Sequence, residues 1–294
     1  MRSTRPRREP GSARERDHRE EPVAMEQLEG KVAVVTGGGS GVGEGMIGAC
    51  VDAGMRVVVA DIDLEGAERV ASAARERGAE AIAVQVDVAD RVAMDALAER
   101  AYEEFGEVNL LCCNAGVIIE ASIEDSTDAD WEWLFRVNVM GVVHGAQAFL
   151  PRMREQEGEA HIVNTGSIAG LFVPRLDVAT YAASKHAVVG LTDRLRHEVA
   201  GTGIGVSVLC PGGVTTRLFE GHRNVPDDLA DKVTPATRTD GAGGMAPAEV
   251  GRRVLDAVRA DRFWIITHPR DEDRGLVDER YEELVDSYAW ARDR

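Results

Sequence analysis

No run of about 18 consecutive apolar residues occurs anywhere in the 294-residue chain, so no segment reads as a membrane-spanning helix. Cysteine is scarce: Cys50, Cys112, Cys113 and Cys210 are the four, and none stands in the C-x-x-C spacing of a metal site. The three in or beside apolar runs read as reduced core residues, consistent with a cytoplasmic protein, and no metal site is expected. Positive charge is in deficit, with 34 Lys and Arg against 51 Asp and Glu for a net charge of −17. That balance argues against nucleic acid or an anionic membrane surface as the main partner. The amino terminus has no apolar h-region after its charges, as a secretory signal would. What remains is a chain with 44% hydrophobic residues and ample length for a buried core.

The stretch "MRSTRPRREPGSARERDHREEPVA" carries seven arginines, five acids and three prolines with almost nothing apolar. It cannot bury enough surface to fold by itself, so residues 1–27 are expected to form a disordered tail. An alternative is upstream sequence translated from a misplaced start, since Met25 begins a natural-looking domain. From residue 28 to 294 the chain reads as one domain. Short β-branched runs at 31–36, 56–61, 81–87, 108–114, 160–166, 204–211 and 262–268 alternate with Ala- and Glu-rich amphipathic stretches. The helical stretches fall at 44–53, 64–78, 90–105, 129–155 and 180–201, with a further helix opened by Pro247. Continuous apolar strands between helices predict an α/β fold, a single doubly wound Rossmann-type domain whose seven-stranded parallel sheet is covered on both faces.

In such a sheet, ligands bind beyond the carboxyl ends of the strands. The first strand runs into "TGGGSGVG", where glycines let backbone N–H groups approach a diphosphate at a helix N-terminus. The fitting pattern is T-G-x-x-x-G-x-G on Thr36, Gly37, Gly41 and Gly43. The G-x-G-x-x-G at Gly43, Gly45 and Gly48 lies inside the helix and is discounted. Asp61 closes the second strand 18 residues past Gly43, where a carboxylate can bind ribose hydroxyls and repel a 2′-phosphate. Neither Ser40 nor Ile62 offers a cation to such a phosphate, so NAD is expected over NADP, with Arg69 the basic group that could approach from elsewhere. Asp63 reads as the cap of the next helix. Further along, Tyr181 and Lys185 stand four apart and share a helix face.

With these motifs in order, together with "DV" at 87–88, "NAG" at 114–116, Asn138, Ser167 in "NTGSIAG" and "PGGVTT" at 211–216, the chain resembles a classical short-chain dehydrogenase/reductase from residue 28 to about 268. The resemblance implies a secondary alcohol or ketone as small-molecule substrate and hydride transfer to NAD. Tyr181 would be the general acid/base, Lys185 and the nicotinamide charge would favour its phenolate, and Ser167 would hold the substrate oxygen. Asn138 would anchor the water through which the proton leaves. Cofactor contacts would come from Gly37, Ser40, Gly41, Val42, Gly43, Asp61 and Ile62, with Asp87 and Val88 at the adenine. Asn114, Ala115 and Gly116 would line the adenine ribose, Tyr181 and Lys185 would reach the nicotinamide side, and Pro211, Gly212, Val214 and Thr216 would cover the carboxamide. The resemblance also implies a homotetramer or homodimer built on the helices at 129–155 and 180–201.

Two departures from the family pattern stand out. Cys113 replaces an asparagine before "NAG", and Ser167 and Tyr181 are 14 apart, one more than the family spacing, which predicts a bulge within 171–179. The segment 214–246 reads as a mobile lid, and Ile118, Ile119, Leu171, Phe172, Leu176 and Phe219 as substrate-pocket residues. The carboxyl-terminal stretch is similar to bacterial members that oxidise bulky aromatic secondary alcohols. His144 and His186 read as structural or surface histidines, Cys112 and Cys113 as neighbours facing opposite sides of a strand, and Trp131 and Trp133 as helix-packing residues. Competing readings are a non-catalytic nucleotide sensor on the same fold, an NADP-dependent ketoreductase, a sugar-nucleotide epimerase or dehydratase, and an enoyl reductase.

Overall fold

The computed structural model describes residues 25–174, 176–235 and 244–292. The expectation of a disordered tail therefore falls, for residues 1–24, outside the described residues. Packing begins at Met25, which is fully buried, with Leu28 also in the core, so the fold starts before the expected boundary at 28.

Seven strands form one sheet: β1 Val32–Thr36, β2 Arg56–Asp61, β3 Ala81–Gln85, β4 Leu110–Cys113, β5 Ala160–Thr165, β6 Ile204–Cys210 and β7 Trp264–Ile266. Their order is β3-β2-β1-β4-β5-β6-β7, and every pairing is parallel. Successive strand residues alternate between two cores. Ala33, Val35, Val57, Val59 and Cys112 face one side, and Val32, Val34, Val58, Ala60 and Cys113 the other. The two adjacent cysteines thus point into different cores.

The first core is covered by α1 (Gly41–Asp52), α2 (Leu64–Glu76) and α7 (Pro247–Arg259). The second is covered by α3 (Arg91–Phe105), α5 (Gly141–Glu155) and α6 (Ala179–Glu198). Asp63 caps α2 by accepting from Gly66 N–H at 3.2 Å, as its sequence position implied. The backbones of α1 and α7 touch: a Cβ on Gly45 would stand 2.1 Å from the Pro247 carbonyl, and one on Gly251 2.0 Å from that of Gly45. Gly45 is therefore a packing glycine, which accounts for the discounted motif. A final helix, α8 (Asp271–Arg292), buries none of its residues.

The helix expected over 129–155 is not continuous. It comprises α4 (Asp128–Leu134), a π-helical turn at Phe135–Met140 and then α5. Single π turns inside helices recur at functional sites, because the extra residue redirects one side chain. Here the redirected residue is Asn138, 1% exposed and bonded across to the chain that follows β4.

The segment 214–246 is more anchored than its composition implied. Leu229 and Val233 join Val117, Ile119, Ala129, Trp133 and Leu134 in a third apolar cluster. Buried Asp130 of α4 ties it down, accepting from Thr234 N–H at 2.8 Å and from the Thr234 hydroxyl at 2.6 Å. Residues 236–243 lie outside the described set. Among the described residues no helix is long and apolar enough to cross a membrane.

Candidate active site

A cavity of about 670 Å³ opens where the strand order reverses between β1 and β4 and continues past the carboxyl ends of β5 and β6. Every residue named above for cofactor contact lines it except Gly43, and of the four named for catalysis only Asn138 does not. Both exceptions support the wall from behind. A Cβ on Gly43 would lie 2.0 Å from the Gly37 carbonyl, so only glycine lets α1 start this close to the turn. Gly37 and Gly41 have φ of 64° and 55°, the left-handed region that favours glycine.

Neighbouring strands hold the turn in place. The Thr36 hydroxyl accepts from the N–H groups of Asn114 and Ala115 at 2.9 and 3.2 Å. The Asn114 amide in turn donates to the carbonyls of Thr36 and Gly37 at 3.1 and 3.3 Å. At the other edge, Asp61 accepts from Gly39 N–H at 2.9 Å and from Asp63 N–H at 3.0 Å. Each oxygen keeps acceptor capacity, and Asp61 lines the cavity. Arg69 is occupied: its guanidinium meets both Glu44 oxygens at 2.8 Å and the Gly39 carbonyl at 2.9 Å. Val88 is held through its carbonyl by Nδ1 of buried His144 at 2.9 Å, so that histidine is structural.

Tyr181 stands in the first turn of α6, with Lys185 one turn later. The Lys185 ammonium lies 5.6 Å from the centroid of the Tyr181 ring and donates to the Thr165 carbonyl at 2.9 Å. Burial lowers the Lys185 pKa to about 8, with neighbouring Cys210 opposing the shift. Burial also raises Tyr181 above its usual value, while its hydrogen bond to Ser167 pulls the other way. The thiol of Cys210, pushed up to about 12 by burial, is inert.

Asn138 is tied to the chain after β4 and to α6. Its side-chain oxygen accepts from Val117 N–H at 2.8 Å, and its amide donates to the Val117 carbonyl at 2.9 Å and to the Ser184 hydroxyl at 3.0 Å. Both amide hydrogens are used, so what the side chain keeps to offer a water is acceptor capacity on its oxygen. It also acts as a clamp. Ser184 passes the link to the Tyr181 carbonyl at 2.8 Å, so the π turn, the chain after β4 and the first turn of α6 form one unit. Ser184 carried no signal in the sequence, since a serine on a helix is ordinary until its partner is known.

Ile118, Leu176 and Phe219, expected at the substrate, line the cavity, as do Trp133, Leu218 and Pro226. Trp133 was expected only to pack the helix. Ile119 is buried in the third cluster, and neither Leu171 nor Phe172 reaches the cavity. Where the extra residue of 171–179 was expected to bulge, Arg175 lies outside the described residues, and the chain rejoins through Ala179 N–H to the Ala121 carbonyl at 3.1 Å. Among the described residues no three His, Cys, Asp or Glu side chains cluster as a metal site.

The short chain dehydrogenase family profile matches residues 31–226. The chain is 34% identical over 246 residues to 1-deoxy-11-beta-hydroxypentalenate dehydrogenase of Streptomyces exfoliatus, covering 82% of this chain and 84% of that protein. It is 30% identical over 275 residues to a CLA biosynthesis dehydrogenase/reductase of Lactiplantibacillus plantarum, covering 89% and 95%. Among solved structures, a short-chain dehydrogenase/reductase from Burkholderia phymatum in complex with NAD superposes with a TM-score of 0.83 at 40% identity, covering 88% of this chain and 96% of that one. Sheet order, a glycine-rich turn beneath the cavity, and serine, tyrosine and lysine gathered at its far end agree with this match: the chain belongs to the short-chain dehydrogenase/reductase family.

Proposed function

We infer that this oxidoreductase uses NAD to oxidise a bulky, apolar secondary alcohol to a ketone. The observation that carries the reading is the joint placement of Ser167, Tyr181 and Lys185 on one cavity wall, with the Asp61 carboxylate at the other end. The cavity fits a dinucleotide. Asp61 retains acceptor capacity for two ribose hydroxyls, the glycine turn gives backbone close approach to a diphosphate, and Arg69 is already engaged by Glu44. The related structure from Burkholderia phymatum was solved with NAD, and the Streptomyces relative is named for a hydroxylated compound; both support the reading.

When bound, the nicotinamide supplies the hydride acceptor. Ser167 holds the alcohol oxygen, and Tyr181 takes the hydroxyl proton as the carbon–hydrogen bond breaks. Lys185 stabilises the phenolate by its charge, and Asn138 keeps the Tyr181 turn in register through Ser184. Trp133, Leu176 and Phe219 give the substrate side an apolar wall that excludes water and suits a large hydrocarbon or aromatic substrate. An absorbance assay for NADH over aryl, steroid, terpene and aliphatic secondary alcohols, run on wild type and Tyr181→Phe, tests the assignment. Turnover is expected only with the phenol present, while NADH binding stays intact. Substantial turnover by the folded Tyr181→Phe protein would refute the role of the phenol, and no turnover with any alcohol in the wild type would favour a nucleotide sensor.

A further inference from the structure

The glycine-rich turn is gripped from both sides at one residue. Gly39 N–H donates to Asp61 at 2.9 Å, and the Gly39 carbonyl accepts from Arg69 at 2.9 Å. The turn is pressed onto the start of α2, since a Cβ on Gly39 would stand 2.9 Å from Ala67 N and 3.0 Å from the Asp61 carboxylate. One residue's backbone thus separates the carboxylate suited to the adenosine ribose from a guanidinium. Arg69 is a long, partly exposed side chain on α2, whose guanidinium is chemically suited to a phosphate. It is not free. Glu44, on the first turn of α1, holds it with two parallel hydrogen bonds of 2.8 Å, the strongest geometry open to this pair.

We propose that Glu44 is a specificity-determining residue that excludes NADP by keeping Arg69 turned onto the glycine loop and away from the ribose. Arg69 is then a positioning residue for the turn and a withheld phosphate ligand. The inference rests on the reading that Asp61 selects NAD, and it adds a second barrier: a 2′-phosphate meets the Asp61 charge and also finds the adjacent cation neutralised. Removing the acid while keeping the arginine should open the site to NADP, although neither Glu44 nor Arg69 lines the cavity.

The test is calorimetric titration of NAD, NADP and adenosine 2′,5′-bisphosphate into the full-length protein as wild type, Glu44→Ala, Glu44→Gln, Arg69→Ala and the Glu44→Ala/Arg69→Ala double variant. Glu44→Ala is expected to tighten NADP and the bisphosphate about fivefold, equivalent to about 1 kcal/mol, the scale of a partly exposed ion pair. NAD affinity should move by less than about twofold in that variant, well under 1 kcal/mol. Glu44→Gln, which keeps the shape and removes the charge, should shift in the same direction by less. Arg69→Ala should gain nothing for NADP, and the double variant should lose the gain. No gain in either Glu44 variant, or a gain that survives removal of Arg69, overturns the proposal. Failure of the underlying reading shows separately: a wild type that binds NADP as tightly as NAD discards the Asp61 assignment whatever the variants do.

Discussion

Lys185→Met removes a charge while keeping much of the side-chain volume, and its consequence can be worked from one distance. The ammonium lies 5.6 Å from the Tyr181 ring centroid. Taking the ring centroid as the centre of the delocalised charge, at an effective dielectric of about 20 the ammonium stabilises a phenolate by about 3 kcal/mol. That corresponds to about two pKa units. The two groups titrate as a pair. Burial lowers Lys185 to about 8 and raises Tyr181, so the ammonium that favours the phenolate is present below about pH 8 and is lost above it. Alcohol oxidation needs the tyrosine as base, so kcat/KM should rise with pH in the wild type. In Lys185→Met the tyrosine titrates alone, and burial holds it above its usual value, so the rising limb moves up by about two pH units. The loss should be about a hundredfold at pH 7.5 and should shrink toward pH 10. The assay is NADH formation from the best alcohol of the panel across pH 6–10, with circular dichroism confirming the fold. A loss of the same size at every pH would refute the electrostatic argument and reduce Lys185 to a binding or structural group.

Asp61→Ser should erode the preference for NAD over NADP, mainly by admitting NADP. The wild-type ratio of kcat/KM is expected to be at least about tenfold, or about 1.4 kcal/mol, and equal use of both by the wild type would refute the role of Asp61. Gly45→Ala should force α1 from α7, because the new Cβ would fall 2.1 Å from the Pro247 carbonyl. A loss of about 2 kcal/mol is expected in chemical denaturation, and an unchanged midpoint would contradict the close packing. Assembly as a dimer or tetramer through α4–α5 and α6 is expected from exposed Leu191 and its neighbours on α6. Light scattering showing a monomer at micromolar concentration would contradict it.

The α/β alternation, the strand centres and the glycine turn were legible because they depend on local pattern: strands buried on both faces are apolar without a break, and Asp63 and Pro247 mark helix starts by their own chemistry. Thr36, Asp61, Ser167, Tyr181 and Lys185 were legible because their spacing along the chain carries the family pattern. The π turn was not. Its extra residue is held by a bond from Asn138 to Val117, 21 positions away, and nothing in "FRVNVM" announces that partner. For the same reason nothing local announces that the Asn138 amide is bonded to Val117 and Ser184. Leu171 and Phe172 read as pocket residues by hydrophobicity alone, yet the turn before α6 keeps them out of the cavity and Trp133 lines it instead.

By itself, then, the sequence determined the layered sheet, the place of the glycine-rich turn and the side chains proposed to react, since each follows from period, punctuation or spacing along one chain. Tertiary structure alone decided what those side chains have left to give. That depends on partners brought from distant positions, as Glu44 takes up Arg69 and Val117 takes up Asn138, and hydrogen-bonding capacity already spent cannot be read from the residue that carries it.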